Sequence, residues 1–407
     1  MIINDCFKVL RFILGAILFA GLGFGTNAYP QERSYLIDLN SRIVTELATL
    51  GGGDRHIANS INDVGQVVGW ASAPGGGGHA FITGPNGRGI RDLGTLGGYA
   101  SKVSGINNSG QVVGYSDTSD AGGFEHAFIT GPNGTGIRDL GILARSGFLN
   151  PIGINDSGQV AGAFETAEGD FHAFITDPNG MGMRDLGTLG GTYSGATGIN
   201  NAGQVMGSSD YIAKDGYPAF YSHAFITDPG GMGMRDLGTL GGTHHGPGPG
   251  YYTDSYANGI NDAGQVVGSS NTAKDGEGPP LPHAFITGPN GADMEDLGTL
   301  GGARSSAYGI NDAGQVVGSS LTSEGDAHAF VTGPNGVEMM DLNSLVDLPD
   351  GVILNYANDI NNAGQVIAIG ELPFIPIIPE PGIYAIFLAG LTLVGFVAKR
   401  KKSEIRT

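Results

Sequence analysis

The sequence predicts an all-β protein, a seven-bladed β-propeller of four-stranded blades, and three observations carry that prediction. An Ile-Asn pair recurs at Ile61, Ile106, Ile154, Ile199, Ile260, Ile310 and Ile360, at spacings of 45, 48, 45, 61, 50 and 50 residues. Each unit holds four short apolar runs in fixed order, punctuated by Gly-, Asn- and Pro-rich turns. The last unit stops after two runs, and the two missing run types stand at the opposite end of the chain. Pairing the ends into one blade explains that split; an open solenoid or sandwich array does not.

In chain order, residues 1–28 read as a secretory signal. Lys8 and Arg11 precede an apolar run from Phe12 to Phe24, and Thr26-Asn27-Ala28 supplies small residues before the cleavage point at Ala28. The run is shorter than the ~20 residues of a membrane span, which favours removal over anchoring. Cys6, the single cysteine, lies inside this segment, so the mature chain has no disulfide or thiolate site.

The propeller is expected over residues 34–372. Tyr35-Leu36-Ile37-Asp38 and Val44-Thr45-Glu46-Leu47 are the displaced third and fourth strands of the last blade. In the unit at Ile310, strands are expected at Tyr308–Asn311, Gln315–Gly318, His328–Val331 and Met339–Leu342. Asn311-Asp312-Ala313-Gly314 and Gly333-Pro334-Asn335-Gly336 are tight turns, with glycine taking positive φ and proline fixing its own. Both turns fall on one face of the ring. The remaining connections, which carry every long insertion, fall on the other.

Beyond the body, residues 373–382 form a Pro-rich linker, 383–398 a marginal transmembrane helix of about 24 Å, and 399–407 a basic cytoplasmic tail. Pro379-Glu380-Pro381, the apolar stretch and Lys399-Arg400-Lys401-Lys402 follow in order. This ending resembles the PEP-CTERM sorting signal of Gram-negative bacteria. The resemblance implies an inner-membrane precursor, removal of the tail by an exosortase, and release to the cell surface or extracellular matrix of an exopolysaccharide producer. The units also resemble HAF-type extracellular repeats: His-Ala-Phe at His79, His126, His172, His223, His283 and His328, then Asp-Leu-Gly-Thr-Leu-Gly-Gly and Gly-Ile-Asn. Gly141-Ile142-Leu143-Ala144 departs from this pattern, and the N-terminal partial unit has no histidine. That resemblance implies an exported repeat protein and carries no catalytic residues over.

Composition narrows the chemistry. A net charge of −19 argues against nucleic acid. Histidines placed one per blade stand too far apart for one metal, so a structural bond to a nearby turn is expected. The Asn-Asp turns offer one or two oxygens each, too few for a calcium loop, leaving scattered surface calcium as the one metal expectation and no cofactor. Neither a phosphate loop nor a nucleophile elbow is present.

The insertions Ser208–Ser222, Gly241–Asn258 and Ser269–Pro282 bring Tyr211, Tyr217, Phe220, Tyr221, His244, His245, Tyr251, Tyr252 and Tyr256 to one rim sector. Such rings stack on sugars or grip a protein. The expected function is therefore a non-catalytic surface or matrix protein that binds a glycan or matrix protein. A carbohydrate-active enzyme on the same face is the alternative, and a structural surface-layer component a third. Two unique carboxylates converging in the central funnel would mark the enzyme.

Overall fold

Consecutive rather than alternating apolar residues mark strands covered on both faces, and the Val-Val-Gly and Ala-Phe-Ile runs behave that way. In the first blade, His56–Ile61, Val67–Ser72, Gly78–Thr83 and Ile90–Gly94 pair antiparallel in sequence order. Val67 and Phe81 enter one apolar cluster, with Leu36, Leu47 and Ile367. Val68, Ala80 and Ile82 enter the next, with Val112 and Phe128. A phenylalanine recurs at this central point, at Phe81, Phe128, Phe174, Phe225, Phe285 and Phe330, each almost inaccessible, with Tyr35 in the seventh place.

The computed structural model describes residues 32–53, 55–119, 125–141, 149–211, 221–241, 254–272 and 281–371. These form seven four-stranded meanders within the compact unit Gln31–Leu372. Six follow chain order, and one parallel pairing, Phe171 with Tyr193, joins the third to the fourth. The seventh is composite: Ile353–Ile360 and Gln365–Glu371 are completed by Glu32–Asp38 and Ile43–Glu46, in register from Asp38 opposite Gln365 to Glu32 opposite Glu371. The two displaced N-terminal runs therefore close the ring.

The turns lock the blades together. In the sixth blade, the Asn311 side chain accepts from Gln315 N, bonds Gln315 Oε1, and donates to the Asn361 carbonyl of the next blade. The same donation runs from Asn62 to Asn107, Asn155, Asn200, Asn261, Asn311, Asn361 and back to Asn62. This closed circuit satisfies buried amides that would otherwise destabilise the core. Asn335 (φ 56°) and Gly336 (φ 73°) are both left-handed, and their N–H groups donate to Ala313 and Gly314 in the other tight turn. Both turns of a blade thus dock on one face, as expected, and the longer connections emerge on the other.

Two expectations are corrected. The repeated histidines bond a carboxylate on the neighbouring strand instead of a turn: His79 Nδ1 lies 2.8 Å from Asp92, and five further pairs repeat the 13-residue spacing. Strand pairing aligns the aspartates with the histidines at that separation. The insertions are also shorter than the repeat comparison implies. Val205–Tyr211 and Tyr221–Asp228 pair along their full overlap, Tyr256 lies in the strand Ser255–Ile260, and Ser269 lies in Val266–Asn271. Backbone pairing continues beyond the point where the repeat sequence diverges.

Candidate binding face and central channel

The first strand of each blade lines a central channel. At the tight-turn mouth stand Asp63, Asn108, Asp156, Asn201, Asp262, Asp312 and Asn362. Each backbone N–H donates to the side chain of the next member, round to Asn362 N on Asp63. Asn108, Asn201 and Asn362 also hold an aspartate on either side through Nδ2, whereas Asp262 and Asp312 are direct neighbours. These carboxylates are engaged in holding the turns together.

A ring of the seven repeat isoleucines follows, then a level occupied by Ser60, Gly105, Gly153, Gly198, Gly259, Gly309 and Asp359. Glycine is required where the next blade comes close: a Cβ on Gly309 would lie 2.8 Å from Asp359 Cα. Ser60 and Asp359 break the pattern where the chain ends meet. Asp359 Oδ2 accepts from Ser60 Oγ (2.9 Å) and Ile61 N (3.1 Å), and Oδ1 from Ile360 N (2.9 Å). Burial pushes its carboxyl up to about 6 against those donors, and Asp63 adds in the same direction. Between this level and the long-connection face lies a cavity of about 240 Å³, lined also by Asn258, Tyr308 and Asn358. Among the described residues Asp359 is the one acid of the channel wall outside the repeat, and the residue before each Ile-Asn would have revealed it.

On the long-connection face, Tyr211 ends the second strand of the fourth blade, and Tyr256 stands in the first strand of the fifth, close to Asp210 and Ser222 of the fourth. Tyr211 stacks flat on His223, with ring centroids 4.6 Å apart, and His223 bonds Asp236. That bond, with the Gly238 amide, holds the Asp236 carboxyl below its ordinary range although burial opposes it. Tyr221 stands opposite Tyr211 in the strand register. Tyr256 is 44% exposed, and partial burial with nearby Asp254 and Asp210 raises its hydroxyl pKa. Asp254 crosses the boundary to accept from Ser222 N at 3.1 Å.

Sequence reasoning missed Tyr193, 43% exposed and 6.5 Å from Phe171, which carries the aromatic surface onto the third blade. Its place just after Leu-Gly-Gly-Thr, at a blade link, was the available signal. Tyr217, Phe220, His244, His245, Tyr251 and Tyr252 lie outside the described residues, as do the stretches expected to form a secretory signal, a Pro-rich linker, a transmembrane helix and a basic tail. Among the described residues no helix is long and apolar enough to cross a membrane.

Among solved structures, the chain is similar to the β-propeller domain of the Trilobed protease from Pyrococcus furiosus, with a TM-score of 0.51 at 10% identity, covering 78% of this chain and 90% of that one. It is also similar to a putative TolB from Agrobacterium tumefaciens, with a TM-score of 0.46 at 11% identity, covering 85% of this chain and all of that one. The former likeness supports the propeller fold and nothing about activity. No curated protein matches the chain. Residues 191–371, from the fourth blade to the second strand of the closing one, match a family described as a protein of unknown function, DUF3466.

Proposed function

We propose that the protein is an exported, non-catalytic binding propeller whose long-connection face holds a glycan or matrix protein at the cell surface or in the extracellular matrix. The observation that carries this reading is the grouping of Phe171, Tyr193, Tyr211 and Tyr256 across the third to fifth blades, on the face that carries the long connections. Partly exposed tyrosines offer flat apolar rings with a polar edge, the combination that stacks on a sugar and bonds its hydroxyls. A two-carboxylate glycosidase needs a facing pair, and among the described residues the channel wall offers Asp359 alone outside the repeat. Export and sorting rest on the N-terminal signal and on the ending from Pro379-Glu380-Pro381 to Lys402, which resembles an exosortase substrate.

Glycan-array binding tests this reading, with the purified protein beside a Tyr193→Ala, Tyr256→Ala double variant of unchanged thermal stability. Binding by the parent and about tenfold or greater loss in the variant is the expected result. Equal binding by both would move the site elsewhere, and no binding by the parent would sink the glycan reading.

A further inference from the structure

We propose that the channel cavity on the long-connection side binds a small organic ammonium ion, with Asp359 as counter-ion and Tyr308 as aromatic wall. The site is separate from the rim tyrosines, and the inference does not depend on what they bind.

Three features of the cavity point to a cation. First, Asp359 stands where five other blades have glycine, so a carboxylate has been placed in a channel wall that the fold otherwise builds without side chains. Ionised, it has about four acceptor positions, and Ser60 Oγ, Ile61 N and Ile360 N fill three. Among the described residues no basic side chain pairs with it, and Asp63 is a charge of the same sign. A carboxylate so enclosed carries a desolvation cost that a bound cation relieves.

Second, the polar wall carries acceptors and is held in place by the neighbouring blade. Asn258 Nδ2 donates to Ala307 O at 2.8 Å, Asn358 Nδ2 to Ala58 O at 2.7 Å and Thr197 Oγ to Ala257 O at 2.6 Å, each in the neighbouring blade. Each amide and the hydroxyl still offer an oxygen that can accept from a cation.

Third, the wall also has an apolar and aromatic part, beside Asn59 and Ser104. Ile152, Ile199, Ile260 and Met206 line the same space as Tyr308, which is half-buried and has its hydroxyl engaged with Ser306. Calcium takes six to eight oxygens, commonly with several carboxylates among them, and this wall supplies one carboxylate. An alkylammonium needs one anion, apolar contact for its carbons and an aromatic face.

Isothermal titration of the purified full chain in nonionic detergent tests this, with methylammonium and tetramethylammonium chloride as probes and sodium, calcium and acetate salts as controls. Saturable binding of an ammonium probe is expected, about tenfold or more weaker in Asp359→Asn and about threefold or more weaker in Tyr308→Leu. Binding should weaken as pH falls below about 6, where Asp359 takes up its proton. Absence of saturable heat, equal binding by a folded Asp359→Asn, or saturation by calcium with none by ammonium would overturn the proposal. Should Asp359→Asn not fold, Tyr308→Leu and the wild-type pH series decide, and binding unchanged in both overturns it.

Discussion

The interface between the seventh and first blades differs from the others in how polar groups are used. Between ordinary blades the polar links repeat from one blade to the next. Ser101, Ser194, Ser255 and Ser305 each accept the alanine N–H of the preceding blade's His-Ala-Phe. Arg91, Arg138, Arg184 and Arg235 reach turn carbonyls of the blade that follows. At the closing interface His56, fully buried, accepts from Ser34 N, and Ser34 Oγ accepts from Ala58 N. Arg33 and Glu46 stand where the other blades have histidine and aspartate, with the same 13-residue spacing, and Asp359 replaces glycine. Apolar packing closes both kinds of interface alike, so the distinct polar groups act on register and specificity. The seam joins residues about 300 positions apart, and a register slip there would leave a carboxylate or a histidine buried without its partner.

The largest test compares the two kinds of packing. Phe225→Ala in an ordinary interface and Tyr35→Ala at the seam should each cost about 3–5 kcal/mol in urea denaturation. A Tyr35→Ala protein of wild-type stability would show that the N-terminal strands do not hold the ring. An intermediate effect comes from Asp359. Its folded carboxyl is raised from 3.8 to about 6, so its contribution is neutral below pH 4 and becomes unfavourable as pH rises to 6. The cost levels off at about 2–3 kcal/mol near pH 7. The stability difference between Asp359→Asn and wild type should therefore move in the variant's favour from pH 4 to 7, as read from paired urea curves. A flat difference would mean the carboxyl titrates normally. The smallest effect concerns the ion pair: removing Arg33 and Glu46 together should change stability by less than about 1 kcal/mol, because both are partly exposed. A larger loss would give this pair a part in fixing register.

The architecture was legible because its signals are local or periodic. Ile-Asn spacing, glycine turns and the split last unit specify strands, turns and closure without any knowledge of contacts. What a repeat hides is the destination of a side chain. Asn62 and its equivalents read as turn formers and are that, but their amide donors end on the next blade, 45 to 61 residues away for six of them and 299 for Asn361. The histidine partners were readable in principle, since Asp lies 13 residues on in all six units. Asp359 went unremarked because its neighbours Ile360 and Asn361 keep the motif. At the rim, Tyr211 is committed to stacking on His223, while Tyr193, outside the insertions, is the more exposed ring in that sector.

The mouth of the channel shows what seven does to a ring. Aspartate and asparagine alternate there, acceptor beside donor, for as long as the count allows. Seven is odd, and two kinds cannot alternate around an odd circle. Some neighbouring pair must be alike, and here it is Asp262 with Asp312. Parity therefore gives a near-symmetric ring a fixed direction: a molecule approaching that mouth meets adjacent carboxylates at one compass point and carboxamide-bridged ones elsewhere.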